Sequence, residues 1–118
     1  MNAAGYFHSS IEADVVVQRG WRSFFTDTSH NENNYYQSAG RAAMLMAHAL
    51  TGDQSGLFLN RTRAGLNTTM AAFYQQKWVC QVGLTSAAAR VLLPLAWLVR
   101  VEDRPEYRKW INDVAAVL

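Results

Sequence analysis

The stretch from Thr85 to Val101, TSAAARVLLPLAWLVRV, constrains the fold more than any other part of the chain. Read with helical periodicity, Val91, Leu92, Leu93, Leu95, Ala96, Trp97, Leu98 and Val99 leave almost no polar face. A surface helix shows an apolar stripe and a polar back, whereas a helix apolar all round needs neighbours on every side. The pattern predicts a helical domain centred on this segment, with Trp97 and Leu93 or Leu95 among its most buried side chains. Its longest apolar run, Val91 to Val99, falls short of the ~20 residues of a membrane-spanning helix. The start, MNAAGYFHSS, lacks the basic and apolar regions of a secretory signal. A soluble polypeptide with no membrane partner is the expectation.

A second segment of the same kind runs from about Asn34 to Thr51, where Ala42, Ala43, Met44, Leu45, Met46, Ala47, Ala49 and Leu50 again leave little polar surface. Gly52 follows as a left-handed C-terminal cap. Each of these two segments leads through a short Asp-containing turn into a one-sided helix. Asp53 or Ser55 starts the first, near 56–75, with Leu59, Leu66, Met70, Phe73 and Tyr74 on one stripe. In the second, near 105–118, Asp103 and Glu106 have capping-box spacing, Pro105 fits the first turn, and Tyr107, Trp110, Ile111, Val114 and Leu118 form the stripe. Overlaying the two apolar helices at an offset of 49 places Arg41 on Arg90. The expected fold is all-α, a single domain over 1–118 with helices near 35–51, 56–75, 86–101 and 105–118. They form antiparallel helical hairpins with a repeat near 50 residues, as in stacked or ring-closed arrays. A four-helix bundle of two coincidentally similar hairpins is the alternative.

The remaining segments are less regular. Residues 1–10 read as a lead-in loop. Ile11 to Phe25 fits a helix broken near Gly20, although Val15–Val17 also suits a strand. Residues 26–34, TDTSHNENN, form a loop that ends in a helix start. Residues 75–84 make a polar connection, with Thr85 or Ser86 as the next N-cap.

Half the residues are hydrophobic and 17% are charged, which is the composition of a folded domain. The net charge is +2, without the basic runs of nucleic-acid arms, so no nucleic-acid partner is expected. Cys80 is the single cysteine and reads as a small buried hydrophobe. His8, His30 and His48 lack metal-ligand spacing, and His48 reads as a satisfied core residue. No phosphate loop, nucleophile elbow, HExxH or CxxC is present, and no cofactor or metal is expected.

The segment from Arg41 to Asp53, RAAMLMAHALTGD, resembles the helix-then-TGD turn of six-hairpin glycosidase-like proteins. The segment from Arg90 to Ile111, RVLLPLAWLVRVEDRPEYRKWI, is similar to the hairpins of the same family. The resemblance covers roughly residues 34–118. It implies hairpins closed into an (α/α) toroid, with inner helices lining the centre and a funnel mouth near their N-termini. A closed toroid needs more hairpins than the two and a partial lead-in found here. The chain would then be a fragment or small relative of a carbohydrate-active toroid protein, glycoside hydrolase-like, with an incomplete active site.

Glycosidases use two carboxylates roughly 5–9.5 Å apart. The acids near an inner-helix N-terminus are Asp27 and Glu32, with Trp21, Tyr35 and Tyr36 nearby as aromatic platforms for a sugar ring. Both acids read more readily as turn and first-turn residues that favour a helix N-terminus. No catalytic motif of the family matches residue by residue. The competing readings are a non-catalytic helical-repeat module that binds a protein, and a helical bundle that self-associates. Two helices apolar around their circumference outrun the surface available to cover them. A homo-oligomer joined through Met44, Met46, Leu92 and Leu98 is expected.

Overall fold

The computed structural model describes residues 1–8, 17–30, 36–80 and 83–118. Every regular element among them is an α-helix: α1, Trp21–Thr26; α2, Ser38–Thr51; α3, Leu57–Tyr74; α4, Leu84–Val101; and α5, Pro105–Ala115. The expected helices are present, and the turns between them follow from local chemistry. Gly52 ends α2 in the left-handed conformation (φ 61°, ψ 38°), its N–H donating to the His48 carbonyl. Asp53 then accepts from the backbone N–H groups of Ser55 and Phe58, so the TGD turn holds the start of α3. In the lead-in, residues 17–19 are helical and Gly20 (φ 74°) separates them from α1. Residues 11–16, where the Val15–Val17 run begins, lie outside the described residues.

Two expected caps are replaced. α4 begins at Leu84 after Gly83, ahead of Thr85 and Ser86, and no side chain caps it. At α5 the Asp103 carboxylate is held by Arg108, at 2.7 and 2.6 Å. That bidentate pair outcompetes a single capping bond; Arg104 takes the N-cap position and Pro105 opens the helix.

The chain direction follows from side-chain contacts. Arg41, early in α2, donates to Thr69, late in α3, so these two helices run antiparallel. Arg63 reaches Glu102, and Tyr74 reaches Asp113, both at a separation of 39 residues, so α3 and α5 run side by side in the same direction. α2 and α4 pack directly on each other and therefore also run parallel. The result is a slab of 45 × 35 × 19 Å, with α2 and α4 in one layer and α3 and α5 in the other. Between the layers lie Leu45, Leu66, Met70, Ala88, Val91, Leu95, Leu98, Tyr107, Trp110 and Val114.

Burial on α4 departs from the expectation. Leu95 is fully buried, but Leu93 is 52% exposed and Trp97 only partly covered. The helix is long and apolar enough by length and composition to cross a membrane, yet it is packed on one side only, against α2 and α5. The expected oligomer face is split likewise: Leu98 is fully buried, Met44 and Leu92 are half-buried, and Met46 alone of the four is exposed. Nor does the offset of 49 survive as an equivalence of environment. Arg41 is fully buried and Arg90 is exposed. An offset of 50 instead sets buried Ser38, Arg41 and Leu45 on buried Ala88, Val91 and Leu95.

The lead-in loop is part of the core. Asn2 and Tyr6 are buried, and the Asn2 side chain accepts from the N–H groups of Ala4 and Tyr6 while donating to the Ser29 carbonyl. Residues 1–8 lie against the start of α2 and the middle of α3, from Arg61 to Thr69. Gly65 permits this approach, because a methyl there would run into the Gly5 carbonyl and meet the Arg41 Nη2 at 2.9 Å.

Candidate functional site

Of the five residues singled out for carbohydrate chemistry, Glu32 and Tyr35 lie outside the described residues, as does the Trp21 side chain. Asp27 follows α1. It accepts from the Ser29 hydroxyl and sits 3.5 Å from His8 Nε2. The Ser29 bond, with His8 and Arg19 adding to it, holds the Asp27 carboxyl below the usual carboxylate range. A glycosidase proton donor is shifted the other way. Tyr36 is 63% exposed at the turn into α2.

The other described carboxylates are mostly committed to structure. Asp53 holds the α3 start, and Glu102 bridges Arg63 and Arg104. Asp103 pairs with Arg108, while Asp113 accepts from Lys109 and from the Tyr74 hydroxyl. Among the described residues no three of His, Cys, Asp and Glu come together to hold a metal ion. His48, expected to be satisfied, leaves its buried Nδ1 without a hydrogen bond, 4.0 Å from Asp53.

A second polar cluster is wholly interior. The Arg41 guanidinium lies 4.3 Å over the Tyr6 ring, with Nε donating to the Gly5 carbonyl at 3.1 Å and Nη1 to Thr69 Oγ1 at 2.7 Å. Nη2 has no partner among the described residues. Burial pushes the guanidinium pKa down, opposed by Tyr6. The cluster fastens residues 1–8 to the first hairpin and opens on no described cavity.

The open site lies where the two hairpins join. α3 ends in a Schellman motif: Lys77 N–H donates to the Ala72 carbonyl and Gln76 N–H to that of Phe73. This geometry puts Gln76 in the left-handed region (φ 58°), a place that favours glycine. A glutamine there costs on the order of 1 kcal/mol, and such strain concentrates at functional positions. The reversal swings Trp78 back onto α3, where its Nε1 donates to the Thr69 carbonyl at 2.8 Å and its ring lies 4.9 Å from that of Phe73.

Between these rings and the start of α4 is a groove of about 590 Å³, lined by Phe73, Tyr74, Gln76, Trp78, Cys80, Leu84 and Val117. That volume falls within the range of small-ligand and side-chain pockets. The polar tips of its aromatic residues point to other duties. Trp78 Nε1 is taken by Thr69, and the Tyr74 hydroxyl by Asp113 at 2.6 Å. Burial and the Asp113 bond raise the Tyr74 pKa and keep it neutral. What remains facing the groove is ring and aliphatic surface, a half-buried thiol and one strained glutamine.

Neither Asp27 nor Tyr36, the two of the five expected substrate residues whose side chains are described, lines the groove. The sequence signal for it was the apolar trio Trp78-Val79-Cys80, set between Gln75-Gln76-Lys77 and Gln81 in a connection read as polar. No protein-family model, curated protein or solved structure matches the chain.

Proposed function

We propose that the chain is a non-catalytic helical-hairpin module that captures an apolar side chain of a protein partner in the groove between Trp78 and Leu84. The observation that carries this reading is the groove's chemistry: about 590 Å³ lined mainly by aromatic and aliphatic surface, with Trp78 Nε1 and the Tyr74 hydroxyl bonded elsewhere. A sugar requires hydrogen-bonding groups alongside its stacking platform; an aromatic or leucine anchor requires only dry surface. The engaged state of Asp27, Asp53, Glu102, Asp103 and Asp113 favours the same reading over a glycoside hydrolase-like one. Parallel inner helices α2 and α4, with burial matched at an offset of 50, support a hairpin array repeating near 50 residues, open or closed as a toroid.

Leu84 provides the test. It is 47% exposed in the first turn of α4, where an acidic residue suits the helix dipole, so Leu84→Glu charges the groove without unfolding the helix. A random peptide library panned on the chain should enrich sequences with a single aromatic or leucine anchor, and L84E should lose them by at least about tenfold, a change of ~1.4 kcal/mol. Equal retention by parent and variant would overturn the reading. Binding of soluble oligosaccharides that L84E also abolishes would return the site to carbohydrate.

A further inference from the structure

The groove at Trp78 has a backbone edge as well as apolar walls. Gln76, Trp78 and Cys80 line it, while Lys77 and Val79 between them are exposed, Val79 at 48%. That alternation is the two-residue period of an extended run. Every regular element described is a helix, so no strand lies beside this run among the described residues. Among those residues the Val79 N–H and carbonyl make no hydrogen bond. The amide of Gln76, at the head of the run, is unbonded among them as well. A backbone edge with open donors and acceptors is a template for a second extended chain. The molecule already contains one pairing of this chemistry. Phe7 N–H donates to Gln37 Oε1 at 2.7 Å, and Gln37 Nε2 donates to the Phe7 carbonyl at 2.9 Å. The Phe7 ring packs against Gly40, one turn along the same helix. One glutamine thus holds both backbone groups of a residue whose aromatic side chain is anchored beside it.

We infer that the partner presents its anchor on an extended segment, which lies along residues 76–80 and bonds through its main chain to Val79 and the Gln76 amide. This rests on the groove being a side-chain pocket, and it selects among the peptides that would fill one. A helix spends its N–H and carbonyl groups on its own turns, so it delivers an anchor but leaves Val79 and Gln76 unpaired. An extended segment delivers the same anchor with its backbone groups still open. Main-chain bonds then supply affinity, and the groove chooses the side chain. The role also gives a reason for glutamine at a left-handed position that favours glycine, where φ is 58°.

The test uses the tightest peptide enriched by panning on the full chain, synthesised in three forms. One is linear, one carries single N-methyl groups at each residue flanking the anchor, and one is locked as a helix by a side-chain lactam. The helix-locked form should bind at least about tenfold more weakly than the linear one, and N-methylation at one flanking residue or more should cost about as much. Gln76→Gly removes the amide while relieving the left-handed backbone, so the variant folds at least as well as its parent. It should bind the linear peptide about fivefold more weakly or worse. A helix-locked peptide that binds as tightly as the linear one overturns the inference. So does tolerance of N-methylation at every flanking residue, or equal binding by Q76G and the parent. If L84E still abolishes binding in those cases, only the extended backbone is refuted and the apolar pocket stands. A panning that enriches nothing overturns both.

Discussion

On α2 the buried stripe reads Ser38, Arg41, Ala42 and Leu45; on α4, its parallel counterpart in the second hairpin, it reads Ala87, Ala88, Val91, Pro94, Leu95 and Leu98. One stripe is half polar and the other has no polar side chain. The neighbours explain the difference. α4 is covered by α2 and by α5, whose facing residues are Tyr107, Trp110 and Val114, so apolar surface meets apolar surface. α2 must also receive residues 1–8, which bring a backbone carbonyl at Gly5 into the interior without a ladder partner. A buried carbonyl needs a donor, and Arg41 supplies it. An irregular segment in a core thus dictates a polar residue on the helix it packs against.

The largest effect should come from the apolar hairpin. Leu95 is wholly enclosed at the centre of α4, and Leu95→Ala should lose about 2–5 kcal/mol in chemical denaturation, from lost transfer energy plus a cavity. If the loss were under ~1 kcal/mol, the second hairpin would not be the dry half of the core.

The polar stripe is probed by Arg41→Met, which keeps the aliphatic reach and removes the guanidinium. Buried charges replaced by apolar residues are often neutral or stabilising. Here the substitution strands the Gly5 carbonyl and removes the charged donor to Thr69, leaving it the Tyr6 hydroxyl. A net loss of about 1–3 kcal/mol is expected, with increased proteolysis within residues 1–8. A variant as stable as its parent would show that the arginine is tolerated there and not required.

The legible part of the fold was the part set by local rules. Gly52 at a left-handed cap, Pro105 at a helix start, and the stripe Tyr107–Trp110–Val114 all act within a few residues of themselves, and α2 to α5 fall where they indicate. Leu93 and Trp97 misled because residue type records that a side chain can be buried, whereas the number of neighbours decides whether it is. Tyr6 and Asn2 were missed because their segment has no period; Tyr6 packs on Arg41 and Thr69, more than thirty residues away in sequence, and Asn2 bonds Ser29. Trp78 was hidden in the same way, its place fixed by a Schellman reversal at Gln76 that no glycine announces. The candidate site was therefore the least legible region, since it is assembled from a helix end, a linker, a helix start and the chain's last turns.

The smallest expected effect concerns the contact between the hairpins themselves. Glu102, at the end of α4, holds Arg63 of α3 at 3.1 and 2.5 Å and Arg104 beside it, with 22% of its side chain exposed. Burial pushes the Glu102 pKa up, but the bonds and charge of Arg63, with Arg104, outweigh it and hold the carboxyl below its usual range. A carboxylate depressed in the folded state contributes stability above its unfolded pKa of about 4.3, and that contribution disappears as pH falls through the lower folded value. Glu102→Gln should therefore cost about 1 kcal/mol at neutral pH, and the parent and variant stabilities should converge as pH drops below about 4. Asp27, Asp103 and Asp113 titrate in the same acid range in both proteins, so the difference between the two curves isolates Glu102. A gap that stayed constant as the pH fell through the acid range would mean that the introduced amide disturbs packing and that charge is not what joins the dry hairpin to the polar one.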